Sequence, residues 1–362
     1  MVEWCERLQQ MIEATKPLQP EAYLELKANL LIYLIALYTH LGKNEDVRQA
    51  TEGFVKCAVA IREADRRDKL LVLFCNRQIV TCTDLFRYAE GEAYYEILQK
   101  YFESRNTCSE NLLADFIELE NQDVIPDTII TQYGKCTGSY IQLLTKQHRY
   151  ARTASQKENV KTKAESIISH AFDHFTKAGD ISFCHQNVCD LLAELGQYDE
   201  AMKHLCLAVP DGDAPADFAS RARHVLKATG IGCIKEHFVF LHYVNMMHRA
   251  LVKGDPHGAE MLECLTEKET LTSDMYTHLK GNPHPEGVIL WHLAASLAHL
   301  PKYQALAKEL FEASWRSMED SGFIFRTIGL AVHADEIDAG LKGNLPGKQE
   351  SWLKDANIFL RI

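Results

Sequence analysis

No apolar run in this chain is longer than nine residues, Leu30 to Tyr38, whereas a helix needs about 20 to cross a bilayer. Membrane insertion is therefore not expected. Positive charge is also scarce: 39 Lys and Arg against 50 Asp and Glu leave a formal net charge of -11. Nucleic-acid binders neutralise phosphates with clustered cations, so nucleic acid is not an expected partner. The most basic stretch, Lys146 to Lys163, is interrupted by Glu158 and reads as a solvated helix face. The 11 cysteines include no CxxC spacing, and their number is odd in a chain of 362 residues. That excludes the pattern of a small disulfide scaffold. The start, Met1-Val2-Glu3-Trp4-Cys5-Glu6, lacks the basic-then-apolar order of a secretory signal. A reducing, cytoplasmic setting is the expectation. No segment alternates apolar and polar residues long enough to require a strand. HExxH and GxSxG are missing too, which removes the common zinc-base and hydrolase-nucleophile arrangements.

What is present is helical periodicity on an ordinary globular composition, 46% hydrophobic and 25% charged. From Glu21 to Leu41 the apolar residues fall on two rows, Leu24, Ala28, Leu31, Ile35, Tyr38 and Leu30, Leu34, Leu37, Leu41. Two rows mean a helix buried on two sides. Gly42 marks its end, and Val47, Ala50, Phe54, Ala58, Ile61 form the row of the next helix. A helical hairpin is predicted. The rhythm continues through Leu71, Cys75, Ile79, Cys82, Phe86 and through helices near 92–102, 111–120, 129–144 and 161–177. Proline and glycine punctuate the chain at Pro210–Pro215, Gly254–Pro256 and Gly281–Pro285. The expected organisation is an N-terminal hairpin region over 1–148, a loop or joint over 149–160, a helical-repeat region over 161–342 and a capping helix or tail over 343–362.

Within Ser182–Pro215, the run Leu195-Gly196-Gln197-Tyr198-Asp199-Glu200-Ala201 followed by Leu205 and Ala208 resembles the second half of a tetratricopeptide (TPR) unit, a helical hairpin repeated about every 34 residues. Gly196 permits a tight exit from the first helix, Tyr198 wedges against it, and Ala201 and Ala208 let helices approach. The first half departs from the family at His185 and Cys189. A second copy begins near Gly287, with Leu290, Leu293, Ala294, Leu297, then Tyr303, Leu306, Leu310, Ala313, and with Pro301 in place of the bend glycine. The resemblance implies an all-α fold of antiparallel helical hairpins stacked as a TPR-like right-handed α-solenoid. It also implies a concave groove lined by first helices, presenting Gln186, Asn187, Asp190 and Glu194 from one unit and Trp291, His292, Ala295 and His299 from the other. The expected function is a non-enzymatic protein–protein interaction module, an adaptor, regulator or complex subunit, with a protein or peptide partner and no cofactor. Trp291 reads equally as an aromatic anchor or as core.

Chemistry-bearing sets are few. His170 and His174 are four apart, as are His185 and Cys189 after a turn, and four such ligands could hold zinc. A helical metal-dependent enzyme using this cluster is the alternative reading; a self-associating scaffold is a third. No metal ligands and no catalytic residues are assigned. His237, His242 and His248, five and six apart, do not share a helical face. Gly343–Gln349 lacks the spacing of a phosphate loop, and Asp211-Gly212-Asp213 lacks the later ligands of a calcium loop.

Overall fold

The computed structural model describes residues 7–8, 10–13, 20–106, 129–175, 178–209, 215–229, 237–267, 283–298 and 300–321. Among them every regular element is helical, so the fold is all-α. The elements are α1 (Pro20–His40), α2 (Asn44–Ala60), α3 (Ala64–Asp84), α4 (Tyr88–Asn106), α5 (Ile129–Tyr150), α6 (Ala154–His170), α7 (Ala178–Glu194), α8 (Tyr198–Leu207), α9 (Phe218–Thr229), α10 (His237–Val252), α11 (Pro256–Thr266), α12 (Pro283–Ala298) and α13 (Gln304–Ser321), with short 3-10 turns at Ala171–His174 and Pro301–Tyr303. The chain divides into two compact units, residues 1–150 with 162–180, and residues 151–161 with 181–362. The segments near 111–120 and 343–362, and the stretches around Asp211 and Gly343, lie outside the described residues.

In the first unit α1 packs against both α2 and α3. Both of its predicted apolar rows are used: Ala28, Leu31 and Ile35 on one, Leu30 and Leu34 on the other, all buried against Ala50, Phe54, Cys57 and Ala58 of α2 and Leu70 of α3. Residues Glu21–Thr39 are long and apolar enough to cross a membrane by length and composition; here that same apolarity serves packing on α2 and α3. A second cluster joins α3, α4 and α5 through stacked rings, Tyr95 on Tyr140 at 4.0 Å and Phe102 on Tyr133 at 4.0 Å.

The polar stretch 149–160, expected as a joint, holds only a three-residue break before α6 begins at Ala154. The cause is a capping box. Thr153 Oγ1 accepts from Gln156 N–H at 3.1 Å while Gln156 Oε1 accepts from Thr153 N–H at 3.1 Å, which satisfies two amides that the first turn leaves open. Low apolar content does not prevent a helix whose start is fixed in this way.

Four hairpin bends share one geometry. At Gly42, Phe86, Gly196 and Gly254 the backbone takes positive φ, between 60° and 82°. The next residue's amide then reaches back five positions: Lys43 to Tyr38, Arg87 to Cys82, Gln197 to Leu192 and Asp255 to Ala250, each at 2.9 Å. This is the Schellman closure, which satisfies free carbonyls at a helix end and turns the chain back. Three of the four positions are glycine, which adopts this conformation without steric cost. Phe86 does so as a phenylalanine, with its ring set edge-on to Tyr150 at 5.1 Å and to Tyr88 at 6.2 Å. Small residues follow the bends. Ala201 is fully buried, and a Cβ on Gly258 would lie 2.6 Å from Leu251 N and 2.9 Å from Ala250 C, so α11 touches the α10 backbone.

Two glycines separate these effects. Nothing lies within 4 Å of a Cβ built on Gly196, so Gly196→Ala is expected to cost only its backbone conformation, about 1–2 kcal/mol. Gly258→Ala meets immovable backbone and should cost more, about 3 kcal/mol. Urea unfolding midpoints of the two variants will show this order if the close approach is real, and equal costs would contradict it.

Candidate functional site

The second unit is built around α10. Nine consecutive residues, His242 to Ala250, are all buried, at most 9% exposed. A helix sealed on every side must find a partner for each polar group it carries. Tyr243 donates to the carbonyl of Met261 on α11 at 2.8 Å. His248 faces α12, where its Nδ1 lies 3.4 Å from His292 Nδ1 and its ring meets Trp291 edge-on at 5.4 Å.

The third face, toward α7, is a polar ladder. Asn187, Asp190, Glu194 and Tyr198 descend one stripe spaced three, four and four; Tyr198 is the first residue of α8, just past the bend. His242, Asn245, Arg249 and Lys253 descend α10 and its own bend with the same spacing, each 55 positions after its counterpart (187 to 242, 190 to 245, 194 to 249, 198 to 253). Asn245 Nδ2 donates to Asp190 Oδ1 at 3.0 Å. His242 Nδ1 lies 2.9 Å from Asp190 Oδ2. Arg249 Nε is 3.7 Å from Glu194 Oε2, both side chains under 10% exposed. Lys253 Nζ donates to the carbonyl of Glu194 at 2.7 Å, a cation at the negative end of α7, and lies 6.0 Å from the Tyr198 ring centre. One step further toward the N-termini, the same 55-residue offset relates Phe183 to Phe238. Phe183 is half-buried and Phe238 is 58% exposed.

The sequence-predicted groove residues thus separate. Asn187, Asp190 and Glu194 come together on the ladder, with Asn187 Nδ2 donating to Phe183 O at 2.8 Å. Gln186 stands beside them, half-buried, and donates to Ser182 Oγ at 3.2 Å. Trp291 and His292 are 4% and 5% exposed and pack together at 4.3 Å on the α12 side of α10, and Ala295 is fully buried. That is the core environment for Trp291. His299 lies outside the described residues. Their α10 partners are not evident from either helix alone; the signal is the matched three-four-four spacing at a constant offset.

The predicted His/Cys cluster is distributed differently. His170 is exposed at the end of α6, 3.7 Å from Asp173, and the His174 side chain lies outside the described residues. His185 pairs with His204 of α8, Nδ1 to Nδ1 at 2.9 Å, and Cys189 is fully buried. Among the described residues no group of three or more His, Cys, Asp and Glu gathers as a metal site. Eight described cysteines are buried, and burial pushes every one of their thiols up: Cys75, Cys82 and Cys206 to about 11 and Cys184 to about 12. Thiols held protonated are poor nucleophiles.

Comparison of the chain with protein-family models, characterised proteins and solved structures finds no match.

Two consequences of this geometry are measurable. Glu194→Ala removes the carboxylate 3.7 Å from the buried Arg249 Nε and should cost about 3 kcal/mol in urea unfolding, whereas the double variant Glu194→Leu, Arg249→Met should recover most of it. Burial pulls His185 down to about 4 and lowers His204 as well. An unfolded histidine titrates near 6.5, so the unfolded chain takes up protons first. Stability should therefore be full above about pH 6.5 and decline as pH falls toward about 4. His185→Gln, His204→Gln should flatten that part of the profile; an unchanged slope would exclude the pair as its source.

Proposed function

We propose that this chain is a non-enzymatic protein-interaction module, an adaptor, regulator or complex subunit in a reducing cytoplasm, and that its hairpins stack in the manner of a TPR-like right-handed α-solenoid. The observation that carries the reading is the register between α7 and α10. Each is the first helix of its own hairpin, closed by the same bend at Gly196 and at Gly254, and the two run side by side in one constant offset. Neighbouring units of a hairpin stack stand in this relation, and such stacks present extended surfaces to partners. The partner surface in this reading is the N-terminal part of these helices. There the same offset relates two aromatic residues, Phe238, 58% exposed, and Phe183, half-buried, with half-buried Gln186 three residues after Phe183 on α7. An exposed aromatic ringed by polar groups is the usual anchor for a peptide or partner helix.

The test is affinity purification of the intact protein from its native cells beside a Phe238→Ala, Gln186→Ala variant. Both positions are off the buried ladder, so helicity and melting temperature should be unchanged. A stoichiometric protein partner reduced at least about tenfold by the variant is expected. A partner retained equally by both forms would place the binding surface elsewhere, and the capture of no stoichiometric partner would overturn the interaction reading.

A further inference from the structure

The upper two rungs of the ladder contain a contact that is close without being a hydrogen bond. His242 Nδ1 and Asp190 Oδ2 are 2.9 Å apart, yet His242 Nδ1 is buried with no hydrogen bond of acceptable direction. The distance describes an ion pair, whereas no hydrogen bond joins the two atoms. On the same two rungs Asn187 Oδ1 and Asn245 Oδ1 are also buried acceptors without a partner, in side chains 1% and 5% exposed. Three buried atoms on two consecutive turns of two adjacent helices, His242 Nδ1, Asn187 Oδ1 and Asn245 Oδ1, are therefore without a hydrogen-bond partner, and Asp190 Oδ2 lies 2.9 Å from the first. One such atom is ordinary, but three on neighbouring rungs call for a common partner.

We propose that Asp190, His242, Asn187 and Asn245 form a binding site for a divalent first-row transition-metal ion with nitrogen and oxygen coordination. Two ligands held about 2.1 Å from one ion lie about 3.0 Å apart in octahedral geometry and about 3.4 Å apart in tetrahedral geometry. The observed 2.9 Å fits the octahedral edge. A carboxylate, an imidazole and two amide oxygens form a hard-to-borderline set suited to ions such as Mn2+ or Co2+. Outer contacts already orient it: Asn245 Nδ2 holds the other Asp190 oxygen at 3.0 Å, and Asn187 Nδ2 is fixed on Phe183 O at 2.8 Å. The Asp190 and His242 side chains are 21% and 11% exposed, so these two ligands are not sealed from solvent. The ion ties α7 to α10 at the rungs that follow Phe183 and Phe238 in the sequence. It is independent of any partner bound there.

The experiment uses the full chain, stripped with a chelator, dialysed and titrated with Co2+ and Mn2+ by calorimetry and absorption. One ion per chain, weak Co2+ bands of a six-coordinate centre and a raised melting temperature are expected. Asp190→Asn and His242→Gln should each weaken Co2+ binding about 100-fold. Asn187→Leu removes a buried acceptor without opening a cavity, so it should keep its metal-free stability and yet weaken binding about tenfold; this arm decides the matter if the other two variants fail to fold. His185→Gln, His204→Gln should leave binding unchanged. The proposal is overturned if no stoichiometric ion binds, in which case ordered water fills these rungs. It is equally overturned if binding survives in Asn187→Leu and is lost with the His185 and His204 pair.

Discussion

The second unit depends on the sealing of α10. Packed by α7, α11 and α12, this helix has no solvent face over nine residues, and each polar side chain it carries has to be answered by a neighbour. Leaving a buried polar group unanswered costs about 1–3 kcal/mol and a buried charge more. The responses are different on each side: a single carbonyl on α11, a pair of imidazoles and an indole on α12, and a graded ladder on α7. The ladder is the demanding one, because it contains both of the buried or nearly buried acids, Asp190 and Glu194, and must place a nitrogen donor at each.

The bends determine whether that placement is possible. A helix pair closed through a left-handed residue leaves the second helix pointing back along the first; just beyond the bends, Gly258 lets α11 close to backbone contact with α10, and Ala201 is fully buried. The separation within a hairpin is thereby set before any ladder contact forms. Phe86 shows that the geometry matters more than the residue type: the same closure occurs with a side chain present, and the ring contacts to Tyr88 and Tyr150 accompany it.

Much of the helical framework was legible. The two apolar rows of α1, the ends at Gly42 and Gly196, and the all-α class follow from periodicity and from glycine, because both are local in the chain. The start of α6 was legible in principle from Thr153 and Gln156, but it is written in polar residues that periodicity does not weigh. The bend at Phe86 carries no local mark, since its positive φ comes with aromatic neighbours as distant as Tyr150. The ladder was half legible. Asn187, Asp190 and Glu194 stand out as a polar stripe, but whether a stripe faces solvent or a matching helix is decided 55 residues later, where His242 taken alone reads as one histidine among 16.

The constant offset has a consequence for how this chain tolerates length changes. The ladder is a vernier: its rungs coincide only because both scales carry the same divisions. Residues gained or lost between α8 and α9 shift the numbering of the second scale without disturbing its divisions. A single residue inserted inside α7 or α10 rotates everything after it by about 100°, so every later rung fails at once. Descent from a common ancestor should thus leave the α8–α9 connection ragged in length while the twelve-residue spans from 187 to 198 and from 242 to 253 stay free of gaps.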